Sequence, residues 1–447
     1  MEKKVPFSFI IVIGLMLFAL FFGAGNLIFP TLLGQSSGTN FWAANIGFLI
    51  TGVGLPTLGV IALGVSGKED LQSLSNRVHP VFGVVFTTVL YLAIGPLFAI
   101  PRTGNVSFEI GVKPFLDGGS HLWVSIVFSI IFFGITCFFS LNPARIVDLV
   151  GKVLTPIKLT FISILIIAGL LYPIGALQPP TAKYASNALF KGFQEGYLTM
   201  DALASFVFGI IVIQAIRSRG ATSRKQVITV SIKAACIAAI ILSVLYVSLS
   251  YISASSVTAF GYLENGGQIL ARMSSYYFGT SGGIFLGLMI TIACLTTSIG
   301  LITSCASYFH KLLPRLAYKK LVVGMCIFSA VIANIGLNEL IQISVPVLKI
   351  IYPLAIVLMI LTFCHHLFKG NRLVYQGSML LVFLVSIPDG LRETPLHLSW
   401  LDTFMSGYIP MYNIGMGWVL PAVIGAVGGY VISMERNRAG AADQRNG

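Results

Sequence analysis

The chain has 447 residues, of which 56% are hydrophobic and only 10% charged, with a mean hydropathy of +0.90 and a net charge of +13. Soluble globular proteins carry about 25% charged residues, and long uncharged stretches recur along this whole length. A soluble fold is thereby excluded, and a polytopic, all-α membrane protein without a separate soluble domain is expected.

Twelve spans are expected, at 7–33, 41–65, 79–101, 121–140, 150–171, 197–216, 227–252, 282–309, 320–337, 340–364, 374–390 and 412–433. The first follows MEKK and resembles a signal peptide, charge before an apolar run. No small-residue cleavage site follows it and eleven further apolar segments do, so it reads as a retained helix. Lysine and arginine then set the orientation. With a cytoplasmic N-terminus, nineteen of the 28 lie on the cytoplasmic side and three (Lys158, Lys233, Lys349) within spans. The remaining six, Arg102, Lys113, Lys183, Lys191, Arg272 and Arg392, lie outside. The basic balance is thus topological and needs no nucleic acid. The expected location is the cell membrane, surrounded by lipid, with both termini cytoplasmic and no obligate protein partner evident.

The first span is interrupted by FFGAGNLIFP, residues 21–30. Glycine inside a helix costs about 1 kcal/mol relative to alanine and proline about 3, so a membrane helix that keeps both is expected to break. A break frees backbone groups that hydrocarbon cannot satisfy. The N–H groups opening the second half-helix, at Gly23, Ala24, Gly25 and Asn26, carry partial positive charge and suit a carboxylate. Gly23 and Gly25 let a ligand approach the backbone. Carbonyls closing the first half-helix, near Ala19 and Phe22, face the same space and suit a cation. The alternative is a kink that serves only close helix packing.

Duplicated transporters carry a second broken helix at the matching position of an inverted half. The sixth span, GYLTMDALASFVFGIIVIQ, supplies the candidate, an odd five spans later. Ser205 and Gly209 are expected to offer oxygens to an ammonium group there, with Phe206 and Phe208 walling an apolar pocket or merely packing. Asp201 is expected about a turn before the break. It is an ionisable group at membrane depth that marks an ion or substrate path, unless it sits in water at the outer interface. The pattern suits repeats at 7–171 and 197–364, two further helices at 374–433 and a tail at 434–447.

The eighth span places Thr296, Thr297 and Ser298 together. Their oxygens suit a small hard cation, although helical hydroxyls also bond back to their own turn. Lys158 in the fifth span either snorkels to the inner surface or supplies a titratable charge near a cation site. The six cysteines form no C-x-x-C pair, and the adjacent His365 and His366 point to different helix faces. No cofactor or structural metal is expected beyond a coupling ion.

FFGAGNLIFP, IGPLFAIPRTG at 94–104 and YLTMDALASFVFG together resemble the bacterial branched-chain amino acid:cation symporters, nearly end to end. That resemblance implies membership of the amino acid–polyamine–organocation superfamily and its LeuT-like five-plus-five inverted repeat. Gly23-Ala24-Gly25-Asn26 is similar to the G-L-G-N of LeuT-like sodium carriers, which holds substrate carboxylate and sodium. Ala293-Cys294-Leu295-Thr296-Thr297 is similar to their A-G-L-T-S. The likeness implies hydroxyl ligands from Thr296 and Thr297 and carbonyl ligands from Ala293, Ala19 and Phe22. Pro30 falls one residue closer to the asparagine than in those carriers. A span-five lysine replaces this sodium in some proton-driven superfamily members, so Lys158 keeps the proton open as coupling ion.

The expectation is a secondary active transporter that imports leucine, isoleucine and valine with a cation, sodium favoured over the proton. A non-transporting sensor or a channel is the alternative, but the chain has neither a signalling domain nor a continuous polar path. No nucleophile–base set, H-E-x-x-H or phosphate loop supports an enzyme.

Overall fold

The computed structural model describes residues 6–68, 70–116, 121–141, 155–218, 223–395 and 398–446. Lys3, Lys4, Arg145, Lys152 and Arg219 of the charge tally lie outside these. Among the described residues there is helix in each of the twelve expected segments and no β-strand. Among the described residues eight helices are long and apolar enough to cross a membrane, or nine when one bent pair is counted as a span, with two shorter apolar helices in addition.

The first span is two helices, α1 (Phe7–Phe21) and α2 (Ala24–Ser37), separated at Phe22 and Gly23. The second is α3 (Phe41–Leu49) and α4 (Leu55–Ser66), joined by a π-helical turn and ended by Gly67 at φ 67°. The third starts at α5 (Pro80–Leu92), whose first turn is fixed by proline and by His79 Nδ1 accepting from the Val81 N–H at 3.2 Å. Gly95 leaves helical geometry (φ −96°, ψ −129°), Pro96 follows, and α6 (Ala99–Gly111) resumes. Helix therefore continues ten residues past the boundary expected from the sequence. Arg102 is consequently not in an outer loop but buried inside the bundle. The apolar residues beyond it, Val106, Phe108 and Ile110, are buried too, so the arginine interrupts the apolar run without ending the helix.

Next come α7 (Leu122–Ser140) and α8 (Thr155–Leu171). The sixth span is α9 (Ala188–Tyr197) and α10 (Asp201–Ser218), bent by 44°. α11 (Arg224–Ala254) opens with a capping box between Ser223 and Gln226. α12 (Gly266–Leu312) is interrupted at Gly279, whose φ of 61° glycine tolerates without strain. α13 (Tyr318–Ala333), α14 (Leu337–Phe363), α15 (Arg372–Leu391) and α16 (Val419–Asn446) complete the chain.

The central helices approach closely because small residues face backbone. A Cβ on Gly47 of α3 would collide with the Leu189 carbonyl of α9, and one on Gly192 of α9 with the Ala44 carbonyl of α3. α2 is tied to α11 by Ser250 Oγ donating to the Pro30 carbonyl (2.7 Å) and Ser253 Oγ to the Thr31 carbonyl (2.5 Å). α6 lies along α12, and α15 packs against α14 and α16. Large apolar side chains such as Ile130, Phe138, Ile240, Val331 and Leu384 point outward, as fits a molecule whose surrounding solvent is lipid.

Candidate functional site

The breaks of the first and sixth spans meet at a common cavity inside the bundle. At the first, Phe22 (φ −70°, ψ 85°) closes α1 and Gly23 (φ −121°, ψ −158°) opens α2. The first N–H groups of α2 have no partner within their own helix. Gly23 N–H donates to Asn26 Oδ1 at 3.1 Å. The Asn26 amide nitrogen in turn donates to Asp201 Oδ2 and to the Tyr246 hydroxyl, and that hydroxyl donates to Asp201 Oδ2 at 3.2 Å. One asparagine thus joins the first break, the second break and α11.

The second break lies at Leu198, Thr199 and Met200, N-terminal to where Ser205 and Gly209 would put it. Met200 has φ 64°, a conformation uncommon for a residue with a Cβ. Asp201 begins α10 directly after it and is buried, not about a turn before it and not in water. Ser205 Oγ donates to the Ala202 carbonyl at 2.6 Å and faces Gly59 of α4. Gly209 faces Leu63 and Val60 of α4. Both serve the α4–α10 contact, and Phe206 is buried away from the cavity.

Between the breaks lies a narrow cavity of about 30 Å3, room for about two water molecules. Its polar lining is Asn26, Arg102, Thr103, Thr199, Asp201 and Thr297, with Gly23, Ala24 and Gly25, and its apolar walls include Phe21, Ile94, Phe208 and Leu301. The Phe21 and Phe208 rings meet edge to face, 6.1 Å apart. A Cβ on Gly23 would lie 2.8 Å from Thr297 Oγ1, and one on Gly25 would lie 2.9 Å from an Arg102 terminal nitrogen. Backbone at Gly23 is thus covered by a hydroxyl-bearing side chain, and backbone at Gly25 by a guanidinium together with the Thr199 backbone, 3.2 Å away.

Of the expected cation ligands, Ala19, Phe22 and Ala293 are buried and Thr297 faces the first break. Thr296 is buried and does not line the cavity. Both threonine hydroxyls donate to the Ala293 carbonyl, at 2.8 Å from Thr296 and 3.2 Å from Thr297. The side chain of Lys158 lies outside the described residues.

Sequence reasoning missed three contributors. Arg102 donates to the carbonyls of Leu198 (2.6 Å) and Thr199 (3.3 Å), with its guanidinium 5.1 Å above the Phe29 ring. Tyr246 and Thr199 complete the polar ring. The signal for Arg102 was present in IGPLFAIPRTG, where apolar residues continue beyond the arginine; Tyr246 lies in an unremarkable apolar run.

A helical bundle whose two broken helices frame a central cavity defines a multi-pass membrane transporter of the LeuT-like fold. Solved structures agree on the fold. Mhp1, a nucleobase-cation-symport-1 family transporter in a closed conformation, aligns at TM-score 0.62 with 11% identity over 96% of this chain and 93% of that one. MhsT in complex with L-phenylalanine aligns at TM-score 0.55 with 13% identity over 97% and 98%. The sequence gives the family. The profile described as "Branched-chain amino acid transport protein" matches residues 8–436, and the chain belongs to that family. It is 58% identical to the branched-chain amino acid permease BrnQ of Bacillus subtilis over 98% of this chain and all of that protein. It is 51% identical to BraB, a permease of the same name class from the same organism, over 97% of each. A Pseudomonas aeruginosa branched-chain amino acid transport system 2 carrier is 43% identical over 94% of each.

Proposed function

We propose that the protein imports leucine, isoleucine and valine across the cell membrane by symport with a cation, sodium in preference to the proton, with both termini cytoplasmic and repeats at 7–171 and 197–364. The observation that carries the reading is the cavity framed by both breaks. A zwitterion needs an electropositive end, an acidic end and apolar walls, and the lining residues supply all three. The opening N–H groups of α2 face the carboxylate. Asp201 faces the ammonium group, in place of the Ser205 and Gly209 oxygens expected from sequence. Phe208, Ile94 and Leu301 surround the aliphatic chain. Relatives named as branched-chain amino acid permeases support the substrate class.

Oxygen donors of the hydroxyl and carbonyl type suit sodium. Each threonine hydroxyl donates its proton to Ala293 and keeps lone pairs for an ion. The Ala293 oxygen already accepts both hydroxyls, so it enters the coordination with Ala19 and Phe22 only if they release it. A cavity with room for about two waters also requires its walls to part when an amino acid enters, the movement that alternating access supplies.

The test is leucine uptake by the purified protein in proteoliposomes under separately imposed sodium and proton gradients. Concentrative uptake driven by sodium alone is expected. Uptake that responds only to the proton gradient would replace sodium with the proton, with Asp201 or Lys158 as carrier. Absence of leucine uptake under both would overturn the transport reading.

A further inference from the structure

We infer that Arg102 is the side chain that reads the substrate's carboxylate, completing the cradle made by the backbone of Gly23 to Gly25; the inference rests on the transport reading and adds a residue to that site. Arg102 is 5% exposed and lies within the helical stretch Pro80–Phe115, which is long and apolar enough to cross a membrane; a charge inside such a segment is costly and marks function. Its terminal nitrogens bond to two carbonyls, Leu198 and Thr199. Carbonyl dipoles stabilise a guanidinium, but they do not neutralise it. Asp201 lines the same cavity, yet its Oδ2 is bonded to Asn26 and Tyr246. Among the described residues Arg102 Nε has no hydrogen-bond partner. A buried arginine with an unfilled donor and no directly bonded anion is set to receive one.

The position of the fork specifies which anion. One terminal nitrogen would lie 2.9 Å from a Cβ at Gly25, so the guanidinium packs against the first turn of α2 and lines the same cavity as Gly23, Ala24 and Gly25. A ligand carboxylate there meets backbone N–H groups from one side and a planar donor fork from the other, the geometry arginine presents and lysine does not. Asp201 lines the opposite polarity of the same cavity. Together the two charges orient a zwitterion and disfavour an amine that lacks the carboxylate. The rival explanation is that Arg102 only clamps the carbonyls of the second break.

Leucine and leucinamide separate the two. Leucinamide keeps the shape and the ammonium group and replaces the carboxylate with a neutral amide. Binding of each to purified wild-type, Arg102→Gln and Arg102→Lys protein in nanodiscs is measured by ligand-induced thermal stabilisation. Arg102→Gln is expected to weaken leucine roughly ten- to a hundredfold, the range for a hydrogen bond to a charged group, and to leave leucinamide within about threefold. Arg102→Lys, which keeps the charge without the fork, should fall between. Equal weakening of both ligands in Arg102→Gln would overturn the inference in favour of the clamp, as would unchanged leucine affinity. If Arg102→Gln is not recovered monodisperse, Arg102→Lys carries the decision through the leucine-to-leucinamide ratio, which must narrow. Wild-type protein that binds no leucine would instead remove the transport reading and this inference with it.

Discussion

The two breaks are built by different means. In the first, Gly23, Gly25, Asn26 and Pro30 lie within eight residues, and each acts against a continuous helix. In the second, Leu198, Thr199 and Met200 include no glycine or proline, and Met200 is held at φ 64°. Thr199 Oγ1 bonds locally, accepting from the Asp201 N–H at 3.3 Å and donating to the Gly196 carbonyl at 2.9 Å, but none of these residue types favours a positive φ. The conformation is held from outside, by Arg102 donating to the Leu198 and Thr199 carbonyls and by the Asn26–Tyr246–Asp201 bonds that fix the start of α10. A break encoded by its own residues persists wherever the segment is placed. A break encoded by its neighbours exists only in the assembled bundle, and it is coupled to whatever those neighbours bind.

The largest expected effect tests the first break. Gly25→Leu places a side chain where a Cβ already comes within 2.9 Å of Arg102 and 3.2 Å of Thr199. Leucine binding and uptake are expected to be lost, by a hundredfold or more on the order of a fully blocked subsite, while the protein remains monodisperse in detergent. Near-wild-type affinity in folded Gly25→Leu protein would show that no ligand approaches this backbone.

The ion comes next in magnitude. Thr297 lies against Gly23, on the side of the first break. Thr297→Ala should raise the sodium concentration for half-maximal uptake about tenfold, the loss of one ligating oxygen treated as a charge-assisted bond. Leucine affinity at saturating sodium should change much less. Reconstituted mutant with unaltered sodium dependence would remove this hydroxyl from the ion's surroundings.

A smaller effect is expected at Met200, and there the paired variants sharpen the contrast. Met200→Leu keeps an unbranched Cβ and about the same volume, a change that costs under about 1.5 kcal/mol. Met200→Val puts a β-branched residue at positive φ, which is a steric outlier and adds strain of order 1–3 kcal/mol. Thermal stability in detergent should order as wild type, Leu, Val, with leucine affinity following. Equal behaviour of the two variants would mean that the backbone at Met200 is not strained and that the neighbours hold the break without cost.

The same distinction explains what could be read from the sequence. The helical membrane class and the first break were legible, because composition and glycine–proline punctuation are local signals; Phe208 and Asp201, singled out from type and position, line the cavity, with Asp201 after the break and not a turn before it. The second break was placed several residues late because Ser205 and Gly209 look like helix breakers in isolation. Both are instead contact residues, made small by the approach of α4. Arg102 was assigned to an outer loop because a charge ordinarily ends an apolar run, whereas its partners lie about a hundred residues away, at Leu198 and Thr199. No window of sequence contains that pairing.

The smallest effect falls on those misplaced residues. Ser205 Oγ donates to a carbonyl of its own helix, Ala202, and lies against Gly59. Ser205→Ala removes a bond that competes with the helix rather than one that defines a ligand site. The alanine leaves the Ala202 carbonyl to its helical partner and keeps the close contact with α4. Leucine affinity is therefore expected to change less than twofold, with stability within about 1 kcal/mol. Asp201→Asn, two residues past Thr199, should by contrast weaken leucine and leucinamide together, since both present an ammonium group. If Ser205→Ala weakened leucine as much as Asp201→Asn does, the ammonium group would sit a turn deeper along α10, and the second break would reach past Asp201 after all.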